Sequence, residues 1–458
     1  MQLIIRILFT QVLYFWAMRT SSWLLIGGIL LAQTGQTVKA VFGLLEGTST
    51  LGGGFYSLIQ DPYGARSIMV GPLFHNGGPY EPYGNDLAYD RSTKYLFLTG
   101  GGPNPFTYKG VVYAMDVWNA YLLDSLTGPI GARRLAVKDT LLLVTRNQLP
   151  FFTAYRIRPT ANGVALDSLW SPSSPYLRSV PEAIVVVGDT AFIPLTYDPN
   201  NFSPDSLILS INLRTMQVDS FAKVYPNPAE LVRIGSKLYA ACYGDFTVPL
   251  HISEVDIPTR NVTITNTTVI SFGGFAADTG GRDTILFVDA ANSLRAYDIT
   301  TQQVAASAYQ GIQGLGNLSL YGLLWVGDWL VTGHTNYTDT LIVVLKDRGL
   351  PFGDTTRTSI PSLRRLIYVE EDATILELAH NREASWRLVQ AYPNPVMERF
   401  YLRGEGIRRV VLRDLGGRCL RTWENQTLGY EVLDVPSGVY ILQVETSRGV
   451  ENLRLQKL

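Results

Sequence analysis

Short apolar runs separated by polar turns dominate the chain between residues 41 and 385. In seven places a turn of charged or small residues precedes a run rich in β-branched, aliphatic or aromatic residues. The turns are marked by Lys94, Asp139, Asp189, Ser236, Asp283, Asp328 and Asp372. Successive markers lie 45, 50, 47, 47, 45 and 44 residues apart, which is the length of a four-stranded propeller blade.

Several of these units continue into a third strand that ends at a polar residue, as at Asp116, Asn212, Asp256 and Asp298. No helical period of useful length interrupts the series, so we predict an all-β class. The central region resembles β-propellers in general, without a signature that names a subfamily. We therefore predict a seven-bladed β-propeller over residues 41–385.

The last unit of the series indicates how the ring closes. It supplies two predicted inner strands, residues 366–369 and 374–378, and then the chain leaves. The missing outer pair is available near the start of the chain, at residues 55–59 and 67–70. A blade built from both ends of the chain would remove the free sheet edges.

A second domain is predicted after a linker at residues 386–391. Tyr392, Pro393, Asn394 and Pro395 stop any preceding strand, because two prolines fix the backbone and remove amide donors. Alternating runs separated by glycine-containing turns follow as far as residue 458. This pattern is typical of a small immunoglobulin-like β-sandwich over residues 392–458.

The tail resembles the type A C-terminal sorting domain of proteins exported by the type IX secretion system of Bacteroidota. The residues that carry the resemblance are Tyr392, Pro393, Asn394, Pro395, Asp414, Gly417, Gly438, Tyr440, Gly449 and Lys457. The resemblance implies transit across the outer membrane, removal of the domain by a sortase and, in many members, attachment to an anionic lipopolysaccharide. An identical tetrapeptide at residues 225–228 lacks the later residues, so we interpret it as a turn only.

The first 40 residues are predicted to direct export. Two apolar tracts, residues 3–17 and 23–32, are each shorter than the roughly 20 residues that a spanning helix needs. The second tract, after Arg19, has the layout of a secretory signal, with Val38 and Ala40 suiting cleavage after Ala40. Translation could start at Met18, or the chain could carry a long leader. Either alternative gives an exported protein with a mature start near Val41.

The balance of charged residues argues against a nucleic-acid-binding protein. The 38 basic and 39 acidic residues give no electrostatic basis for binding nucleic acid. Cys242 and Cys419 fall in different predicted domains, so we expect two separate thiols rather than a disulfide.

Candidate chemistry is sparse. Four histidines, His75, His251, His334 and His380, lie in four different units, and no nucleophile elbow, phosphate loop or paired C-x-x-C occurs. The sequence therefore predicts no catalytic, metal-binding or cofactor-binding residue. We expect a secreted or cell-surface binding protein whose ligand is a glycan or a protein. The alternative is an extracellular polysaccharide hydrolase or lyase acting from the central propeller face, which would need converging carboxylates with perturbed pKa values.

Overall fold

The computed structural model of the protein describes most of the chain after residue 36, and every regular element in the described part is a β-strand. No helix long and apolar enough to cross a membrane occurs among these residues. The described residues are 37–47, 53–61, 64–70, 83–101, 111–118, 121–127, 131–160, 163–278, 283–291, 293–305, 320–326, 329–334, 340–346, 355–358, 362–372, 389–392, 396, 399–404, 407–414, 418–424, 430–446 and 449–457.

The strands before residue 373 form seven antiparallel sheets in the described part of the chain. Sheet 1, the closing sheet, contains β29 (Leu363–Asp372), β1 (Thr37–Leu45), β2 (Gly54–Asp61) and β3 (Gly64–Val70). Sheet 2 contains β4 (Tyr83–Asp90), β5 (Tyr95–Gly101), β6 (Val111–Asp116) and β7 (Tyr121–Thr127), and sheet 3 contains β8 (Ala132–Lys138), β9 (Leu141–Arg146), β10 (Phe152–Thr160) and β11 (Gly163–Trp170). Sheet 4 contains β12 (Val180–Pro181) and β13 (Val185–Val187), which both pair with β14 (Thr190–Tyr197), then β15 (Leu207–Asn212) and β16 (Gln217–Lys223).

The remaining three sheets follow the same order. Sheet 5 contains β17 (Pro228–Ile234), β18 (Lys237–Cys242), β19 (His251–Asp256) and β20 (Val262–Asn266). Sheet 6 contains β21 (Ser271–Ala277), β22 (Thr284–Asp289), β23 (Leu294–Asp298) and β24 (Gln303–Val304). Sheet 7 contains β25 (Leu320–Val326), β26 (Trp329–His334), β27 (Thr340–Lys346) and β28 (Thr355–Thr358).

The sheets are arranged as a ring of propeller type. The first strand of each sheet contacts the first strand of the next, in the order β29, β4, β8, β13, β17, β21 and β25, and β25 contacts β29 again. These seven first strands therefore surround one axis. Together with β12, which precedes β13 and also pairs with β14, they are called the innermost strands below. The all-β prediction is confirmed, and the repeating units of the sequence correspond to the sheets.

The closing sheet joins the two ends of this region, but the number of strands from each end differs from the prediction. β29 is one continuous strand of ten residues, so Glu371 and Asp372 are not a turn as the sequence analysis predicted. β1 pairs with β29 from Thr37 to Leu45 and supplies the second strand, while residues 374–378 lie outside the described residues. One strand from the end of the ring region and three from its start therefore form the sheet.

The position of β1 also bears on the predicted leader at residues 1–40. Val38 and Ala40 are fully buried and pack in the core shared by sheets 1 and 2. Cleavage after Ala40 would remove the first four residues of a paired strand and its buried side chains. The two small residues that suited signal peptidase are explained as inward positions of an alternating strand.

The polar residues between strands form the turns that the sequence pattern predicts. Lys94 and Asp139 have φ angles of 65° and 52°, and Gly188 and Gly235 occupy the same left-handed region between the first and second strands of their sheets. At the end of the third strand of sheet 5, one carboxylate oxygen of Asp256 accepts hydrogen bonds from the amide and hydroxyl of Thr259, at 2.9 and 2.6 Å. Asn212 and Asp298 form the same kind of turn.

The tail is a separate two-sheet unit with its own core. One sheet contains β30 (Val389–Tyr392), β31 (Arg399–Gly404) and β34 (Tyr430–Glu431), and the other contains β33 (Cys419–Glu424), β32 (Ile407–Arg413), β35 (Gly438–Thr446) and β36 (Gly449–Lys457). Phe400, Tyr430, Leu412 and Leu442 bring both sheets into one buried cluster. β30 begins at Val389, so the predicted linker at residues 386–391 overlaps the first strand of this unit.

Phe42 tests the closure of the ring. Its ring is fully buried in β1 and lies 5.8 Å from the ring of Phe55 and 5.7 Å from that of Trp118 in the neighbouring sheet. We expect Phe42→Ala to lower the free energy of unfolding by about 3–5 kcal/mol, because it leaves a cavity at the closing seam. In urea denaturation the control Ile264→Ala, an exposed position on β20, should change it by less than about 0.5 kcal/mol. Equal effects of the two substitutions would contradict the closure by β1.

Candidate functional site at the ring axis

The candidate site lies where the innermost strands begin. Each sheet has a register irregularity at this point, between its innermost strand and the next strand. In β8 the irregularity contains Arg133 and Arg134, in β17 it precedes Glu230, and in β29 it contains Arg364. Bulges change the direction of side chains and are frequent beside functional sites. Here they bring charged residues of several sheets to the ring axis.

Buried threonines in the second strands hold these irregular segments in place. Thr99 and Thr145 accept hydrogen bonds from the amides of Asp86 and Arg134, both at 3.0 Å. In two further sheets the threonine hydroxyl donates to an innermost-strand carbonyl, from Thr196 to Val180 at 2.7 Å and from Thr332 to Gly322 at 2.8 Å. These two amides and two carbonyls at the irregular segments therefore have side-chain partners.

A chain of ion pairs joins the charged residues. The guanidinium of Arg133 donates to a carboxylate oxygen of Glu182, which follows β12. Arg134 donates to the main-chain oxygen of Glu182 at 2.5 Å and to the carboxylate of Glu230 at 3.0 Å. Arg365 completes the chain, with hydrogen bonds to the carboxylates of Asp86 at 3.1 Å and Glu230 at 2.9 Å.

The pair between Arg365 and Glu230 crosses the axis. Arg365 belongs to β29 and Glu230 to β17, and the innermost strands β21 and β25 lie between them on one side of the ring. Asp86 adds a link between neighbours, because its second oxygen accepts the amide of Leu135 in β8 at 2.8 Å. The network thus ties five innermost segments to one another across the centre.

The electrostatics fix the charge state of the two glutamates. Burial by itself would raise the pKa of Glu182 and of Glu230. At Glu182 the guanidinium groups of Arg133 and Arg134 outweigh the effect of burial. At Glu230 those of Arg365 and Arg134 do so. Both glutamate pKa values therefore lie below the usual range. Both groups are carboxylates at neutral pH. They can accept hydrogen bonds from a cation or donor but hold no proton for general acid catalysis.

The accessible part of the network is mainly cationic. The side chains of Arg133 and Arg365 are 22% and 30% exposed, whereas those of Asp86, Glu182 and Glu230 are 5%, 9% and 18% exposed and that of Arg134 is 6% exposed. Tyr243 lies beside the network and is 4% exposed. Burial raises the pKa of its hydroxyl, with a smaller contribution from Glu230, so the phenol remains protonated.

Among the described residues, the hydrogen bonds and ion pairs of the axial network involve none of the histidines or cysteines that the sequence analysis singled out. The ring of His251 stacks on Tyr225 with centroids 3.6 Å apart, and His334 ends β26, while His75 and His380 lie outside the described residues. No group of three metal-binding side chains occurs in the described part of the chain. Cys242 and Cys419 are separate free thiols, as predicted, and burial raises the pKa of Cys242 to about 12.

The residues of the tail motif shape the local structure of the two-sheet unit. Asp414 accepts the amide and the guanidinium of Arg418, at 2.9 and 3.1 Å, which closes the hairpin between β32 and β33. The hydroxyl of Tyr440 donates to the Pro436 carbonyl at 2.6 Å. Other positions of the motif are in or opposite strands: Tyr392 pairs with Tyr401, Gly449 with Thr446, and Gly438 with Lys457. Pro393, Asn394, Pro395 and Gly417 lie outside the described residues.

Sequence reasoning missed the axial network, although a signal for part of it exists. An arginine pair followed by leucine occurs at residues 133–135 and again at residues 364–366. In both places it opens the innermost strand of a unit. A charged pair at the start of a buried strand requires partners. The repeat alone did not show which carboxylates supply them, because Glu182 and Glu230 lie in other sheets.

Comparison with known proteins finds similar solved structures but no family for this chain. No protein-family model matches the chain, and no curated protein matches it by sequence. A putative 6-phosphogluconolactonase from Bacteroides fragilis is 12% identical with a TM-score of 0.49, covering 73% of this chain and 98% of that one. The Pseudomonas aeruginosa periplasmic gluconolactonase PpgL is 14% identical with a TM-score of 0.47, covering 73% and 99%.

A third structure is similar over more of this chain. PorZ of Porphyromonas gingivalis, described as an essential bacterial surface component of the type IX secretion system, is 11% identical with a TM-score of 0.43. The similarity covers 88% of this chain and 63% of PorZ.

Glu230→Gln tests the axial network. Because the pKa of Glu230 is lowered by its arginine neighbours, its stabilising contribution is complete above the unfolded value of 4.5 and is lost as the pH falls through the folded value. At pH 7 we expect the substitution to cost about 3 kcal/mol, since it leaves Asp86 as the charged partner of Arg365 and Glu182 as that of Arg134, and removes one buried carboxylate from the network. The loss of stability on acidification should be smaller in this variant than in the wild type.

The matched control is Asp219→Asn at an exposed position of β16. Thermal unfolding at pH 7 and at pH 4 should give the control the same pH dependence as the wild type. A Glu230→Gln variant that follows the same pH dependence too would contradict the network.

Proposed function

We propose that this chain is an exported binding protein made of a seven-bladed β-propeller and an immunoglobulin-like sorting domain. The observation that carries the binding assignment is the axial network, in which Glu182 and Glu230 are held as carboxylates by arginines. Such a site presents fixed, partly exposed guanidinium groups, which suits recognition of a ligand by charge and hydrogen bonding.

The export assignment is supported by the tail. Its motif residues include Asp414 and Tyr440, whose hydrogen bonds stabilise a unit that has its own core. Because each unit has a core of its own, the tail could be removed without unfolding the ring. We propose the type IX secretion machinery and its sortase as partners. The destination is the cell surface or the medium, reached through the periplasm, with anionic lipopolysaccharide as an anchor of the processed protein.

The leader is proposed to end before Thr37. Cleavage upstream of this residue would leave β1 intact, with Val38 and Ala40 in their buried positions.

We propose domain boundaries on the same basis: the propeller begins by Thr37, and the sorting domain begins by Val389 rather than at Tyr392.

Truncation after Leu388 tests the role of the tail. We expect the shortened protein to fold and to accumulate in the periplasm, because β30 and every later strand of the tail are removed together. Cell fractionation and the thermal unfolding of the purified protein are the two measurements. A full-length Asp414→Ala, Tyr440→Phe variant is the control for a folding defect in the tail. Normal secretion of the truncated protein would contradict the assignment.

Hydrolysis or elimination on a polysaccharide is the second candidate function. One observation favours it, since Asp86, Glu182 and Glu230 do converge on the axis. An enzyme using them would lose turnover on Glu182→Gln. We expect the truncated ring to show no turnover on a panel of neutral and acidic polysaccharides, assayed by release of reducing ends and of unsaturated products. Turnover that disappears on Glu182→Gln would replace binding by catalysis as the function.

A further inference from the structure

Large apolar side chains are exposed on the face of the ring where the axial arginines lie. Leu149, Phe202 and Phe246 are 75%, 62% and 52% exposed and occupy the loops between the second and third strands of sheets 3, 4 and 5. Each loop follows the end of a second strand that pairs with the start of an innermost strand, as Cys242 pairs with Pro228. Three consecutive sheets therefore present an apolar residue on this face of the ring.

The two phenylalanines are held in an unfavourable backbone conformation. Phe202 and Phe246 have φ angles of 59° and 66°, in the left-handed region that bulky residues rarely adopt. Their amides donate to the carbonyls of Asp198 and Tyr243 at 2.8 and 2.9 Å, which fixes the turn. Strained backbone of this kind is concentrated at functional sites. Glycine would satisfy either turn without strain, so the turn itself does not explain the aromatic ring.

Each exposed ring stacks on a tyrosine that adjoins the axial network. The Phe202 ring lies 5.7 Å from that of Tyr197 at an interplanar angle of 26°, and the Phe246 ring lies 5.9 Å from that of Tyr243 at 12°. Burial raises the pKa of the Tyr197 hydroxyl, and the nearby carboxylate of Glu182 raises it further. In both sheets the order from rim to axis is thus phenylalanine, tyrosine, glutamate and arginine.

Beside each of these rings, one oxygen of an aspartate carboxylate is used within the loop. Asp198 accepts the amide and the side-chain nitrogen of Asn200, at 2.8 and 3.0 Å. Asp245 accepts the amide and the hydroxyl of Thr247, at 3.0 and 2.7 Å. A sugar needs polar partners at the edge of the ring on which it stacks. Apolar rings next to accessible guanidinium groups instead have the composition of a protein-binding hot spot.

We propose that this face docks an acidic segment of a partner protein that also carries large apolar side chains. The proposal rests on the proposed binding function and names its ligand class. The apolar side chains of the segment pack on Leu149, Phe202 and Phe246. Its carboxylates meet the exposed guanidinium groups of Arg133 and Arg365, whose own carboxylate partners are mostly buried.

A random 12-residue peptide library displayed on phage tests this assignment with the purified full chain. The selection is run against the wild type and depleted on a Phe202→Gly, Phe246→Gly variant. We expect enriched peptides that combine aspartate or glutamate with aromatic or aliphatic residues. Synthetic copies should bind the wild type and lose at least 10-fold in affinity when their acidic residues are replaced by the corresponding amides, or when the double-glycine variant is used.

Two controls separate docking from folding. The Tm of the double-glycine variant should stay within about 2 °C of the wild type, because glycine relieves the strained φ angles. Ile264→Ala, an exposed apolar position on β20, should bind the peptides like the wild type. A marked drop in Tm of the double-glycine variant would show that the rings support the fold and would overturn the proposal.

Three further outcomes would each contradict the proposal. A library that yields nothing beyond the peptides retained by the double-glycine variant overturns the docking surface. Binding to an array of neutral and acidic glycans that depends on Phe202 and Phe246 overturns the peptide assignment while leaving a binding function in place. Turnover on a polysaccharide, lost on Glu182→Gln, would instead remove the binding function itself.

Discussion

The pairing of β1 with β29 is the constraint on which the rest of the structure depends. A row of antiparallel sheets has two free ends, and each would expose unpaired backbone and an apolar sheet face. Nine residues of β1, from Thr37 to Leu45, pair with β29 and place both ends of the row in one sheet. The neighbouring sheet 7 packs closely on this closing strand, since an added Cβ at Gly333 of β26 would lie 2.2 Å from the Cβ of Leu363 in β29.

Closure of the ring creates the axial site, because it brings the irregular starts of the innermost strands together. Arg365 enters from the closing strand and reaches Glu230 on the far side of the axis. Without β29 in place, Glu230 would keep only Arg134. Buried ion pairs of this kind contribute little net stability, but they tolerate few alternative arrangements. The network therefore fixes the positions of the guanidinium groups and of the neighbouring tyrosines, and thereby the rim formed by Leu149, Phe202 and Phe246.

The sequence predicted the repeat because it depends on local pattern, and it predicted that both ends of the ring region share a sheet, but not the number of strands from each end. A polar turn at Lys94 or Asp139 followed by an apolar run is a short-range signal, and both residues lie in left-handed turns between strands. The prediction placed Thr37–Ala40 in the leader, since Val38 and Ala40 suit a peptidase as well as they suit a strand. One signal distinguishes a strand from a leader here. Val38 and Ala40 continue the alternation of Phe42 and Leu44, which are buried on the same side.

The axial site could not be predicted in the same way. Its paired residues lie between 48 and 279 positions apart, with 96 between Arg134 and Glu230, and the pairing depends on which strands meet across the ring. The exposed phenylalanines were missed because a loop residue at positive φ has no characteristic pattern in the sequence. Their significance comes from the tyrosine beneath each ring and the arginine beyond it.

The most direct test of ring closure is a disulfide across the seam. Ala40 and Val369 are opposite each other in the pairing of β1 with β29, and both are buried in the same cluster. In a Cys242→Ser, Cys419→Ser background, Ala40→Cys with Val369→Cys should form an intramolecular disulfide on oxidation, because directly opposed strand residues lie within bonding range. Mass spectrometry of the tryptic digest should recover the two linked peptides. Two free thiols under the same conditions, in a protein that is folded, would contradict the closure and the site built on it.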